Sequence, residues 1–274
     1  MLSTAEIARV GNVTGAYLRE TLKTASDRTL YRLGQSAVDL YTHLALKMDI
    51  EWQMPLPEGP KIIAPNHPTT LDPFLMLHVV REPISILVTG AAFEIPVFGR
   101  TIRRMGHVPV VQGDGRAALD EAQRLLREGR ALAVFPEGTL SPAEGGYQVP
   151  RTGAARLALA SGVPVIPVGI HLDRGRVQPI GGQIAGEEAE GRVYFGGPYA
   201  VTVGRPLWFA GDLEDREFVH TVSDIIMRRI ELLAGLSAQR LVLAPSTFTE
   251  PVEMSPSPWT SPKDRLASSS GVGT

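Results

Sequence analysis

Between Lys61 and Ile170 the chain alternates short apolar runs with longer amphipathic segments. Turn residues bound the short runs, which is typical of buried strands, whereas the longer segments carry apolar residues at helical spacing. The predicted strands are Ile62–Pro65, Ile84–Val88, His107–Val111, Leu132–Phe135 and Val165–Ile170. The predicted helices are Pro73–Val80, Ile95–Met105, Arg116–Glu128 and Gly153–Ala160. This order predicts an α/β fold with a mostly parallel sheet covered by helices.

The N-terminal part has a helical pattern without strand alternation. Apolar residues recur there at three- and four-residue steps, as on one helix face: Leu30, Leu33, Ala37, Leu40, Tyr41, Leu44 and Met48. A run rich in proline and glycine, residues 55–60, then breaks the chain. We therefore predict a helical N-terminal segment at residues 1–58, followed by an α/β domain at residues 59–243.

The remainder of the α/β domain is less regular. Arg192–Phe195 and Tyr199–Val203 have strand character, and Phe218–Leu236 has the spacing of an amphipathic helix. From Pro245 the chain is rich in Ser, Pro and Thr and has little to bury. We expect residues 244–274 to form a disordered tail.

Composition excludes several classes of protein. The 274 residues are 43% hydrophobic and 20% charged, which allows a sizeable core in one large domain or two small ones. The net charge of -2 argues against a nucleic-acid-binding protein, which usually carries a basic surface. The chain has no cysteine, so disulfides, thiolate metal sites and cysteine nucleophiles are excluded.

No membrane-spanning segment is predicted. The first residues, Met1–Glu6, lack a basic segment followed by an apolar core, so we expect no signal peptide. No stretch approaches the ~20 apolar residues that span a bilayer. We expect a cytoplasmic protein, peripheral on the inner face of the membrane.

Polar residues follow two of the predicted strands. His67 and Asp72 lie five positions apart just after Ile62–Pro65, and an imidazole oriented by a carboxylate is suited to accept a proton from an alcohol. Asp72 also precedes Pro73 and an apolar run, as a helix N-cap would, and one residue is able to fill both roles.

The second polar cluster, Pro136-Glu137-Gly138-Thr139, follows Leu132–Phe135. The carboxyl ends of parallel strands meet at one edge of a sheet, so both clusters are expected to converge on one crevice. Glu137 is a candidate acceptor for a substrate hydroxyl, and Gly138 allows the backbone to approach a ligand closely. The alternative is a simple Pro-Glu-Gly turn.

Together these residues resemble the signature blocks of the glycerolipid acyltransferase family of the 1-acylglycerol-3-phosphate acyltransferase type. The four blocks are Asn66-His67-x-x-x-x-Asp72, then Pro96–Gly99 with Gly106–Val110, then Phe135–Thr139, and then Val163–Val168. A single block is a weak signal, but four in the family's order between residues 60 and 207 form a specific one. The resemblance implies a glycerol-3-phosphate acyltransferase-like fold.

The resemblance also implies a reaction. His67 would deprotonate the acceptor hydroxyl, which attacks the thioester of an acyl-CoA or acyl carrier protein, and Asp72 would orient His67. The acceptor-binding residues implied by the motifs are Asn66, Glu137, Gly138 and Thr139. The thioester is a co-substrate, and no cofactor or metal is implied. In this family a helix-rich N-terminal segment rests on the membrane, while the alternative for residues 1–58 is packing against the core.

Two positions depart from the family pattern. Gln112 and Leu140 stand where the family usually has phosphate-binding arginines. An anionic acceptor needs at least one paired guanidinium, although most arginines are simply solvated. Nearby arginines that are candidates to take over phosphate binding are Arg151, Arg103, Arg104 and Arg116. Arg151 is the first choice, because the turn before Gly153 brings it towards Glu137.

The predicted activity is transfer of a fatty acyl group to a hydroxyl of a lysophospholipid such as 1-acylglycerol-3-phosphate. Three alternatives remain open. The acceptor is a lipid alcohol without phosphate, or the protein is a non-catalytic lipid-binding relative, or water takes the place of the acceptor and the protein is a hydrolase. A hydrolase with a serine nucleophile is disfavoured because the chain has no Gly-x-Ser-x-Gly motif.

Overall fold

The computed structural model describes residues 25–80, 82–111, 115–184 and 187–243, apart from the side chains of residues 182–190 and 243. Its strands are β1 (Met48–Trp52), β2 (Ile62–Pro65), β3 (Ile84–Thr89), β4 (Val108–Val110), β5 (Ala131–Ala133), β6 (Val165–Leu172), β7 (Gln178–Ile184), β8 (Glu187–Val193) and β9 (Tyr199–Val203). Its helices are α1 (Ala25–Leu44), α2 (Asp72–Val79), α3 (Gly90–Glu94), α4 (Phe98–Arg104), α5 (Gly115–Arg127), α6 (Gly153–Ser161) and α7 (Arg216–Leu243). The predicted tail, residues 1–24 and Gln112 lie outside the described residues.

The central sheet contains seven strands in the order β1-β9-β6-β2-β5-β3-β4. The five strands from β6 to β4 are parallel to one another. Strand β9 runs antiparallel to β6, and β1 pairs in parallel with β9. The prediction of a mostly parallel sheet covered by helices, with a helix ahead of it, is confirmed.

Strand β2 lies at the middle of the sheet and is buried on both faces, which explains its uninterrupted apolar sequence. Ile62 and Ala64 pack into the core cluster formed with α5, α6 and α7. Ile63 points the other way, into the cluster formed with α1 and α2. All three side chains are fully buried. The end of β2 is therefore a rigid platform for the residues that follow it.

The prediction that residues 1–58 are helical is wrong at Met48–Trp52, which form the edge strand β1. Met48 and Ile50 are half-buried while Asp49 and Glu51 are exposed, which is the alternation of an edge strand. Arg240 of α7 binds both acids, at 2.6 Å to Asp49 and 2.9 Å to Glu51. Helical spacing from Leu30 to Met48 concealed this change of structure.

The apolar positions of α1 lie on two faces rather than the single face predicted. Leu30 and Tyr41 pack against the core. Leu33, Leu40 and Leu44 point outward and are 63%, 60% and 73% exposed. None of the helices in the described ranges is both long and apolar enough to cross a bilayer.

Two further predictions are corrected. The segment Ile95–Met105 is not one helix, because Pro96 and Val97, which has a φ of 67°, separate α3 from α4. The segment Arg192–Phe195 is not a separate strand; Arg192 and Val193 end β8, which pairs with β7 in an antiparallel hairpin. The glycine- and glutamate-rich sequence of that hairpin lacks the apolar alternation from which strands are predicted.

Candidate active site

His67 lies just beyond the carboxyl end of β2, beside Phe135, the second residue after β5. Its imidazole contacts the ring of Phe135, with ring centroids 4.3 Å apart. The imidazole is 16% exposed. The base predicted from the sequence is thus partly covered by an aromatic ring and still accessible to solvent.

Asp72 holds the imidazole from the first turn of α2. Its Oδ2 lies 3.2 Å from His67 Nδ1. The carboxylate is fully buried and accepts three further hydrogen bonds, from the Thr69 amide at 2.6 Å, the Thr69 hydroxyl at 2.6 Å and the Tyr199 hydroxyl at 2.8 Å. With Nδ1 donating to Asp72, the lone pair of a neutral imidazole is on Nε2. Burial, followed by the charge of Asp72, raises the pKa of Tyr199 well above its ordinary value, which keeps this phenol a donor.

The helix-capping alternative for Asp72 is wrong. The N-cap of α2 is Leu71, and no side chain caps the helix. The Asp72 carboxylate turns back to Thr69, ahead of the helix, because Thr69 offers both an amide and a hydroxyl there. Its bonding partners are the loop, Tyr199 and His67.

Glu137 is buried, being 1% exposed, and binds the loop that carries His67. Its Oε1 accepts hydrogen bonds from the His67 amide at 3.0 Å and the Ser141 hydroxyl at 2.6 Å. Its Oε2 accepts a hydrogen bond from the Gln148 amide at 2.8 Å. Both oxygens are thus occupied within the protein, so Glu137 positions His67, and direct contact with a substrate stays a prediction.

Asn66 fastens the same loop to β6. Its side-chain amide donates to the Ile170 carbonyl at 3.0 Å and accepts from the Ile170 amide at 2.7 Å. These two bonds continue the β2–β6 pairing, which ends at Pro65 and Val168, by one more step. Asn66 is 4% exposed, so its observed role is to position His67, and its predicted substrate contact stays a prediction.

Gly138 and Thr139 are exposed on the turn after Glu137. Gly138 has a φ of 66°, and a Cβ added there would lie 2.3 Å from Cδ of Arg151. The Arg151 amide also donates to the Pro136 carbonyl at 2.7 Å. Arg151 therefore lies along the turn, and the glycine is required both by the backbone conformation and by this close contact.

The other three candidate arginines have different surroundings. Arg104 binds Asp27 at 2.9 Å and Ser26 at 2.8 Å, both on α1. Arg103 stacks over the ring of Phe93 at 5.2 Å. Arg116 is exposed in the first turn of α5. Within the described ranges, no hydrogen bond or ring contact joins any of the three to the His67 loop.

The structure adds residues that sequence analysis missed. Tyr199 and Ser141 belong to the hydrogen-bond network just described, and Arg192 and Arg174 approach it from the hairpin side. The Arg192 guanidinium donates to the Ser141 carbonyl, and Arg174 donates to the Pro142 carbonyl at 2.8 Å. Of these four residues, only Ser141 is close in sequence to a predicted site residue, four positions after Glu137.

The site residues lie in a region of the chain that is similar to known proteins. The model of the acyltransferase family matches residues 47–171, which include His67, Asp72 and Glu137. The chain is 32% identical over 133 residues to a 1-acyl-sn-glycerol-3-phosphate acyltransferase of Chlamydomonas reinhardtii, a match covering 47% of this chain and 39% of that one. It is 30% identical over 113 residues to the protein of that name from Borreliella burgdorferi, covering 40% of this chain and 45% of that one. The chain thus spans less than half the length of these relatives.

The fold has a solved counterpart. The crystal structure of the 1-acyl-sn-glycerophosphate acyltransferase PlsC from Thermotoga maritima superposes with a TM-score of 0.52. The match covers 89% of this chain and 95% of that one, at 20% sequence identity. At that level of identity the likeness concerns the fold.

Proposed function

We propose that this protein is an acyltransferase of the family that it resembles, and that it moves a fatty acyl group from a thioester to a hydroxyl of a lysophospholipid such as 1-acylglycerol-3-phosphate. The observation that carries the proposal is the His67–Asp72 pair, 3.2 Å apart, at the carboxyl end of a central strand. The donor is acyl-CoA or acyl carrier protein. The names of the relatives from Chlamydomonas and Borreliella support the choice of acceptor.

The arrangement suits general-base catalysis. His67 Nε2 takes the proton of the acceptor hydroxyl while the oxygen attacks the thioester carbonyl and forms the new C–O bond. The buried Asp72 carboxylate stabilises the resulting imidazolium and keeps its orientation. When the C–S bond breaks, the sulfur leaves with the proton from His67, and the imidazole is neutral again. The products are the ester and the free thiol.

Glu137 and Asn66 support this step without taking part in proton transfer. Glu137 accepts a hydrogen bond from the His67 amide, and Asn66, the residue before His67, binds the backbone of Ile170 on β6. Both side chains are almost fully buried, so the base is held by a rigid loop. A catalytic group held in this way spends less time out of reach of its substrate.

A second candidate acceptor is a lipid alcohol without phosphate. It is favoured by Leu140, a half-buried apolar side chain on the turn after Glu137. Burying a phosphate against an apolar side chain is unfavourable unless cations are paired with it elsewhere in the site.

We also propose that the protein acts at a membrane surface through α1. Leu33, Leu40 and Leu44 form an outward apolar stripe that the core does not cover. Such a face partitions into the boundary between headgroups and acyl chains. Lipid acceptors would then reach the crevice from the surface on which they reside.

The proposed function is tested by an acceptor screen. Labelled oleoyl-CoA and oleoyl-acyl carrier protein are each incubated with lysophosphatidic acid, with monoacylglycerol and without acceptor, and products are identified by mass spectrometry. We expect phosphatidic acid as the main product. Formation of free fatty acid at the same rate with and without acceptor would instead show a hydrolase.

A further inference from the structure

Arg192 is fastened to the loop between the two catalytic residues. The Thr70 amide donates to the Arg192 carbonyl at 2.8 Å, and the Arg192 amide donates to the Thr70 hydroxyl at 3.0 Å. The preceding residue is Gly191, where an added Cβ would lie 2.9 Å from the Thr70 hydroxyl. The end of β8 is therefore closely packed against the His67–Asp72 loop.

The Arg192 side chain reaches the other wall of the site. Its guanidinium donates to the Ser141 carbonyl. Ser141 in turn exchanges two bonds with His67, from the Ser141 amide to the His67 carbonyl at 2.8 Å and from the His67 amide to the Ser141 hydroxyl at 3.2 Å. A positive charge thus lies next to the residue that holds the base.

A guanidinium carries five N–H donors, and the Ser141 carbonyl takes one from Arg192. Among the side chains that the structure describes, Arg192 has no carboxylate partner, and the residue is half-buried. Arg174 lies on the same turn, donating to the Pro142 carbonyl at 2.8 Å and the Ala143 carbonyl at 3.1 Å. Two guanidinium groups therefore converge on residues 141–143, directly after Leu140, and their hydrogen bonds to this turn are to backbone carbonyls.

A phosphate monoester is the kind of ligand that such a site favours. It carries nearly two negative charges, and its oxygens accept paired N–H donors from a guanidinium. The turn itself supplies no cation at position 140, whereas the hairpin brings one to the neighbouring carbonyl. Arg192 is also on the chain segment that packs against Thr70, so an anion bound by it would lie beside the loop that carries His67.

We infer that Arg192, assisted by Arg174, binds the phosphate of the acyl acceptor and gives the enzyme its preference for lysophosphatidic acid over an uncharged lipid alcohol. The inference rests on the proposed function. It assigns the missing phosphate-binding charge to the β7–β8 hairpin, which lies outside the family's signature blocks. Arg151 lies along Gly138, on a different part of the same turn. Any contribution of Arg151 to acceptor binding is separate from that of Arg192.

The test compares two acceptors in Arg192→Gln. Glutamine keeps an N–H donor for the Ser141 carbonyl and removes the charge. With lysophosphatidic acid we expect kcat/KM to fall about 10- to 100-fold, mostly through KM, as for loss of a charge-assisted hydrogen bond. With monooleoylglycerol we expect kcat/KM to stay within about 2-fold, because no acceptor charge is involved.

Arg176→Gln is the matched control. Arg176 is an exposed neighbour that pairs with Asp173 at 3.3 Å, and its loss changes the net charge by the same amount. We expect its kinetics with both acceptors to stay within about 2-fold of wild type, because an exposed pair contributes little. Equal loss in this control and in Arg192→Gln would show a general electrostatic effect and would overturn the assignment.

Three other results would also overturn the inference. If Arg192→Gln loses activity equally with both acceptors, the side chain only holds the turn. If the KM for the acyl donor rises instead of that for lysophosphatidic acid, the guanidinium serves the phosphates of the donor. If the wild-type protein acylates monooleoylglycerol but not lysophosphatidic acid, no acceptor phosphate is recognised. Failure of the wild-type protein to acylate either compound would refute the proposed function itself, and the inference with it.

Discussion

At the residue scale, Asp72 connects three parts of the site. One carboxylate oxygen faces His67 and the Thr69 amide, and the other faces the hydroxyls of Thr69 and Tyr199. These bonds fix the carboxylate before any substrate arrives. The negative charge is thus held where an imidazolium forms during the reaction.

The substitution Asp72→Asn removes the negative charge of the side chain and keeps its shape. The amide oxygen of asparagine is able to accept from the Thr69 amide and from His67, while its NH₂ donates to the two hydroxyls, which rotate to accept. We expect a fall in kcat of about 10²-fold or more, because the imidazolium loses its counter-charge. Thermal unfolding should occur close to the wild-type temperature. Wild-type turnover in the folded variant would show that the charge of Asp72 is not needed.

Arg151 gives a second test at the residue scale. Arg151→Ala removes a guanidinium that lies along Gly138, so the KM for lysophosphatidic acid should rise about 10-fold if Arg151 binds the acceptor phosphate. Arg104→Ala should have a smaller effect, because Arg104 already pairs with Asp27. Normal steady-state kinetics for Arg151, Arg103, Arg104 and Arg116 alanine variants would mean that none of these four side chains binds the phosphate.

The residues found from the sequence are those that share a local pattern. His67 and Asp72 are five positions apart, and Glu137 follows a strand, so strand ends and short spacing were enough to identify them. Tyr199 is 127 residues from Asp72, and Arg192 is 122 residues from Thr70. Only the packing of β8 and β9 brings them to the site. The sequence did not decide whether Asp72 caps α2 or only binds His67, because these contacts depend on how the loop folds.

At the scale of elements, β1 was not predicted because it too depends on residues far away in the sequence. Central strands such as β2 are apolar on both faces and are recognisable locally. Strand β1 is an edge strand whose exposed acids bind Arg240, 191 residues from Asp49. Its strand character depends on pairing with β9 and on α7, and local spacing continues the helical pattern of α1 into it.

The outward stripe of α1 leads to a prediction about membrane binding. Replacing Leu33, Leu40 and Leu44 together by serine should lower sedimentation with liposomes by about 10-fold or more, because each buried CH₂ contributes about 0.8 kcal/mol. The fold should be little changed, since these side chains are 63%, 60% and 73% exposed. Leu232→Ser on α7, also 63% exposed, is the matched control. If the triple variant and the control bind liposomes equally, α1 is not the membrane-binding element.

At the scale of the whole molecule, His107 links stability to pH. It is 5% exposed, and its Nδ1 accepts a hydrogen bond from the Ile86 amide at 3.2 Å. Burial, together with the charge of Arg130, lowers the pKa of His107 from 6.5 to about 3. Between these two values the unfolded chain binds the proton and the folded chain does not. The free energy of unfolding should therefore fall as the pH decreases below about 6.5, by up to ~1.4 kcal/mol per pH unit.

Urea unfolding at pH 7, 6 and 5 measures this effect. The variant His107→Gln lacks the pH-dependent contribution of His107 to the free energy of unfolding. The difference in unfolding free energy between wild type and variant should therefore shrink as the pH falls. His220→Gln, which changes an exposed histidine on α7, should follow the wild-type curve. Parallel curves for wild type and His107→Gln would mean that His107 takes up its proton equally in both states.

The assignment of His67 as the general base is tested most directly by His67→Ala. The measurement is the initial rate of labelled phosphatidic acid formation from lysophosphatidic acid, with His220→Ala as the control and the unfolding temperature recorded for each protein. We predict a loss of about 10²-fold or more for His67→Ala, with an unfolding temperature close to wild type, because the residue lies in a loop and loses only a partly exposed ring. A folded His67→Ala protein that forms phosphatidic acid at the wild-type rate would contradict the mechanism.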